Sequence, residues 1–105
     1  MLAGYILATW APEKFALAQA NPANVSRYRL CAVRDRLDEA VLDAIQPDLA
    51  CDASAAPSTC PSGTDIPCEA PLELEPGTGR ISDAAWARIK RLSLVPWVTR
   101  IQGCP

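Results

Sequence analysis

Residues 22–46, PANVSRYRLCAVRDRLDEAVLDAIQ, decide how the rest of the chain is read. Placed at about 100° per residue, Leu30, Val33, Leu37, Ala40, Val41, Ala44 and Ile45 share one face. Arg29, Arg36, Glu39 and Asp43 fall largely elsewhere. That spacing predicts one long helix, opened by Asn21-Pro22 and stopped by Pro47, which cannot continue it. Its acidic residues crowd the C-terminal half, where they oppose the helix dipole by roughly a few tenths of a kcal/mol each.

Toward the N-terminus, Thr9 is placed to cap a short helix over residues 10–19, whose first turns tolerate Pro12 and Glu13. Residues 2–11 are apolar, and Ala18-Gln19-Ala20 has the small-x-small form of a signal-peptidase site. No Lys or Arg precedes the apolar run, and Pro12-Glu13-Lys14 breaks it. The expectation is a segment packed on this chain or on a partner. The run is about half the roughly 20 residues that a membrane-spanning helix needs, so no span is expected.

Toward the C-terminus, residues 47–71 hold Cys51, Cys60 and Cys68 with several prolines and few large apolar groups. They read as an irregular loop that something must fasten. Leu72-Glu73-Leu74-Glu75 alternates as a short strand does, and Pro76-Gly77-Thr78-Gly79 is a turn signal. Ser82 caps a second helix over residues 83–93, with Ala85, Trp86, Ile89 and Leu92 on one face. Pro96 assigns the β-forming segment 95–101 to a sheet edge. The expected fold is mainly α, within the α+β class, and forms a single domain over residues 1–105. It consists of an apolar segment with a short helix (1–21), the long helix (22–46), the loop (47–71), and a strand, helix and edge segment (72–105).

Charge divides the chain into blocks. Residues 1–37 carry a net +3, residues 38–75 carry nine acidic and no basic side chains, and residues 76–105 carry a net +4. Either the basic ends fold against the acidic middle, or the middle presents a one-signed face that steers a basic partner.

The five cysteines stand at 31, 51, 60, 68 and 104. None has the short spacing of a zinc knuckle, and the chain has no His to complete a mixed site. Disulfides are expected, with a four-thiolate metal site or reduced thiols as the alternatives. Within a long helix, Cys31 lies about 22 Å from the helix end, farther than the loop to Cys51 can return. The expected pairs are therefore Cys51–Cys60 or Cys60–Cys68, with another loop cysteine tied to Cys104 and Cys31 left as a buried thiol.

The missing His excludes Ser-His-Asp and Cys-His catalysis and an imidazole switch. PGTGR lacks either phosphate-loop pattern. Cys31, with Arg27 and Arg34 one turn away, is a weak candidate thiol. Arg27, Arg29, Arg34 and Arg36, with Arg88, Lys90, Arg91 and Tyr28, form a basic, aromatic-bearing set, but a calculated pI near 5.0 opposes nucleic acid as the partner. No catalytic residue, metal or cofactor is implied.

The expected function is non-enzymatic protein–protein interaction, as a small structural or assembly subunit of a larger complex. Eight Arg against two Lys, with abundant Ala, suits a GC-rich source such as a bacterial virus particle. The candidate binding residues are Trp10 and Trp97, both near prolines in terminal segments, and the acidic set Asp48, Asp52, Asp65, Glu69, Glu73 and Glu75. The alternatives are a monomeric inhibitor or effector acting through its acidic face, and a thiol redox protein. The cysteine density favours an oxidising compartment or a particle surface.

Overall fold

Arg27, Tyr28, Arg29 and Leu30 alternate polar with apolar, and this period of two wins over the helical spacing around it. In the computed structural model, which describes residues 10–21, 24–54, 60 and 65–104, Arg27–Val33 is a strand. Tyr28, Leu30 and Ala32 are buried on one side of it, and Arg27, Arg29, Cys31 and Val33 point to the other. The elements in chain order are β1 (Phe15–Ala16), β2 (Arg27–Val33), α1 (Glu39–Ile45), β3 (Ala50–Cys51), β4 (Asp65–Pro71), α2 (Asp83–Ser93) and β5 (Val98–Cys104). Single 3₁₀ turns occupy Pro12–Lys14 and Arg34–Arg36.

The strands form one mixed sheet in the order β1-β5-β2-β4-β3. Only β1 and β5 run parallel; the other neighbours are antiparallel. Register places Leu30 between Cys68 and Ile101, and Tyr28 between Ala70 and Gly103. This apolar face receives Leu42 of α1 and Ala85, Ile89 and Leu92 of α2. Both edge strands are two residues long, which limits edge-to-edge pairing with other chains.

The mainly helical expectation is therefore wrong: the described residues form a five-stranded sheet with two α-helices. The spacing from Leu30 to Ile45 mixes two elements, because Leu30 and Val33 lie on opposite faces of β2 and the helix starts only at Glu39. Asp38 marks that start by accepting the Ala40 amide at 3.1 Å. The N-terminal helix is also absent. Phe15 pairs with Ile101 instead, after the single turn at Pro12–Lys14. Thr9, its expected cap, lies outside the described residues.

The segment expected to be loop contains β3 and β4, and the strand expected at residues 72–75 is β4, several residues earlier. Leu74 makes only a single bridge to Ile81. Prolines hid β4, yet they do not disrupt it. The Pro67 carbonyl accepts the Asp52 amide at 3.0 Å, so this residue's backbone faces the short edge strand and no bond to β2 is lost. The C-terminal strand is Val98–Cys104 and lies inside the sheet between β1 and β2, because Pro96 falls in the turn before it. The helix at 83–93 stands as expected, with Ser82 accepting the Ala85 amide at 3.2 Å.

Two disulfides lock the sheet, and their pairing differs from that expected. Cys31 bonds Cys60 across 5.9 Å between Cα atoms, Cys51 bonds its register partner Cys68, and Cys104 is the buried free thiol. Cys31 is not on a helix, so the separation of about 22 Å expected for it does not apply. As a strand residue, it points off the polar face of the sheet and meets Cys60 there.

Asn21 joins two loops. Its side-chain amide donates to the Val25 and Gly79 carbonyls and its oxygen accepts the Val25 amide. Gly79 has φ +70°, and a Cβ there would collide with the Asn24 side chain.

Candidate functional site

The acidic residues singled out from sequence do not converge on one face. Asp65 and Glu69 lie on the polar face of β4. Glu69 accepts two hydrogen bonds from Arg29, at 3.1 and 2.9 Å, and Arg27 stands 3.7 Å away. The Thr99 hydroxyl, at a register break in β5, lies 2.6 Å from the Asp65 carboxylate. Glu73 accepts the Ser82 hydroxyl at 2.6 Å, and Glu75 pairs with Arg80 at 3.3 Å. These two carboxylates brace the loop that starts α2. Asp52 accepts the Ser54 hydroxyl and amide, which hold its carboxyl below the usual range. Asp48 is exposed beyond α1.

The two candidate tryptophans also separate. Trp10 packs edge-on against Phe15 at 4.9 Å and Trp86 at 6.0 Å, closing a three-ring cluster with a Phe15–Trp86 distance of 5.3 Å. The Ala11 amide donates to the Ser93 hydroxyl and Lys14 Nζ donates to the Val95 carbonyl, so this segment is pinned to the end of α2. Trp97 is half-buried against the core. Both rings contribute to packing.

Helix α1 carries acids that sequence reasoning does not place among the site residues: Asp38 at its cap, Glu39 and Asp43. Every Lys and Arg of the chain lies among the described residues. The ion pairs there join Arg27 and Arg29 to Glu69, and Arg80 to Glu75 and Asp83. None involves Asp38, Glu39 or Asp43. These three carboxylates flank a run of exposed Ala40, Val41 and Ala44, and Val41 is 41% exposed. Of α1, only Leu42 is fully buried. Arg34 and Arg36 stand exposed in the preceding turn, where Arg34 donates to the Ala53 carbonyl.

The outer side of α2 is the electrostatic opposite. Ala84, Ala87, Arg91 and Leu94 are exposed and Lys90 is half-buried, with Leu94 44% exposed. Val41 and Leu94 are the large apolar side chains left exposed among the described residues. One lies among acids and the other beside bases. Comparison with protein-family models, curated proteins and solved structures finds no match. The surface chemistry alone therefore carries the functional argument.

Two buried titratable groups, Cys104 and Tyr28, lie in the core. The Cys104 thiol is pushed up by burial, with Arg29 and Arg27 opposing and Glu69 reinforcing, the wrong direction for a nucleophile. Tyr28 is 1% exposed and its hydroxyl has no hydrogen-bond partner among the described residues. Burial drives its pKa strongly upward; Arg88 opposes this and Asp48 adds to it. Nearby, Arg88 Nε donates to the buried Gln46 at 3.2 Å, tying α2 to the end of α1. Among the described residues no group of His, Cys, Asp or Glu is placed to hold a metal ion, and no helix is long and apolar enough to cross a membrane. The α1 surface could have been found in the sequence by reading Asp38 as a cap, since a helix confined to 39–45 has Leu42 and Ile45 on its core side and leaves Val41 outside it.

Proposed function

We propose that this chain is a non-catalytic protein-interaction module, a small subunit of a larger assembly, that docks a basic protein surface through the outer side of α1. The observation that carries this reading is the contrast in charge pairing. Glu69, Glu75 and Asp83 are ion-paired, whereas among the described residues Asp38, Glu39 and Asp43 have no cation partner on a helix whose Ala40, Val41 and Ala44 are exposed. Small exposed residues, Ala40 and Ala44, with Glu39 and Asp43 on one side of them and Val41 on the other, allow close approach together with steering and selection against wrong partners. The two disulfides support a setting in an oxidising compartment or at a particle surface.

The test is calorimetric titration with a synthetic amphipathic helix of Lys, Ala and Leu, beside a scrambled peptide of the same composition. The amphipathic peptide is expected to bind and the scrambled one to bind at least about tenfold more weakly, because only the former matches charge to an apolar stripe. Binding is also expected to weaken from about 0.1 to about 1 M salt, as the screening length falls from about 10 to about 3 Å. Equal binding of both peptides, or no effect of Glu39→Lys with Asp43→Lys, would overturn the reading.

A further inference from the structure

The outer sides of the two helices are complementary to each other, and both lie over the same face of the sheet. On α1, Ala40 and Ala44 let a second helix approach closely, Val41 supplies an apolar knob, and Asp38, Glu39 and Asp43 supply negative charge. On α2, Ala84 and Ala87 are the small residues, Leu94 is the knob, and Lys90 and Arg91 supply positive charge, while the exposed Asp83 on this side is paired with Arg80. Within one molecule these charges do not meet in an ion pair. The α2 cation turned toward α1 is Arg88, which is engaged with Gln46.

We infer that the partner docked by α1 is a second copy of this chain, through a face-to-face dimer in which α1 of each copy packs against α2 of the other. This deepens the assembly reading proposed above and rests on it. A two-fold axis makes both contacts at once, so the acidic and basic faces are satisfied together and the interface closes. Two short helix faces per copy place the interface at the small end of the range for specific complexes. The association is accordingly concentration-dependent rather than permanent.

Charge reversal tests this without changing the core. One variant carries Glu39→Lys and Asp43→Lys, making both helix faces basic. The other carries Lys90→Glu and Arg91→Glu, making both acidic. Circular dichroism and thermal unfolding confirm that each is folded, and sedimentation equilibrium reads mass against concentration at about 0.1 M salt. The wild type is expected to dimerise, each variant alone to dimerise at least about tenfold more weakly, and the equimolar mixture to form a heterodimer at least as tight as the wild type. A wild type that stays monomeric at millimolar concentration, variants that dimerise as it does, or a mixture that remains monomeric would overturn the proposal. Titrating wild type with the basic amphipathic peptide separates the two failures. A monomer that still binds the peptide through α1 overturns the self-association alone, and one that binds neither overturns the docking reading as well.

Discussion

The two helices of this molecule cover the same sheet but hold it very differently. In α2, Ala85, Ile89, Leu92 and Ser93 are buried over eleven residues. Its start is secured by the Ser82 cap, by Glu73 behind that cap, and by Arg80 pairing with Asp83. In α1, seven residues long, Leu42 is the buried side chain, and the acids beside it are spent on no internal cation. A short helix gains little from propensity alone and survives by packing. The contrast teaches that α2 holds the fold together, whereas most of the α1 surface is left available for a partner.

The contrast is broken most severely in α2. Ile89→Ala or Leu92→Ala is expected to cost about 2–5 kcal/mol in denaturant unfolding, since each leaves a cavity against the sheet. Val41→Ala is expected to change stability by less than about 0.5 kcal/mol, as for other surface sites. Equal losses at Ile89 and Val41 would erase the distinction. Next in size, Cys31→Ser with Cys60→Ser is expected to lower stability by about 2–4 kcal/mol. Intact mass before and after reduction should show two disulfides and one thiol.

Caps sharpen the comparison on a smaller scale. Ser82→Ala is expected to cost about 1 kcal/mol, and Asp38→Ala about half as much because its helix is short and exposed. A larger loss at Asp38 would mean that α1 is more integral than its burial implies.

The smallest effect at neutral pH belongs to Tyr28→Phe, which removes a buried hydroxyl that has no partner among the described residues and is expected to be neutral or slightly stabilising. The raised tyrosine pKa adds a pH signature. The folded state keeps the proton longer than the unfolded chain, so this contribution is complete below about pH 10 and is lost as pH rises beyond it. Tyr28→Phe is expected to reduce the alkaline loss of stability measured by unfolding between about pH 9 and 11. An unchanged alkaline profile would contradict that assignment.

The same contrast governs what the sequence disclosed. Helix α2 is legible because its signals are local: Ser82 as cap and an apolar spacing that stays in phase for the whole helix. Pro96 misleads, because it lies in the turn before β5 and does not make that strand an edge. Residues 27–45 were misread because a strand and a helix adjoin there with apolar positions that continue one another's helical phase by coincidence. The alternation of Arg27 to Leu30 and the capping aspartate Asp38 were the signals that separate them. Strand β4 was hidden by Pro67 and Pro71, whose cost depends on which side of a sheet they face, and that is set by a partner strand distant in sequence. Of the expected site, Glu69 is paired with Arg29 and Glu73 accepts the Ser82 hydroxyl. Read as part of one unbroken helix, Glu39 and Asp43 count only against its dipole, so the candidate set omits them.

The central claim is that the outer side of α1 is a docking surface, and its most direct test is an amide chemical-shift map of isotope-labelled protein titrated with the basic amphipathic peptide. Saturable shifts are expected over Asp35 to Ile45, lost in Val41→Asp while the rest of the spectrum stays native. Shifts centred instead on the polar sheet face around Arg27, Arg29 and Arg100, or binding unaffected by Val41→Asp, would contradict it.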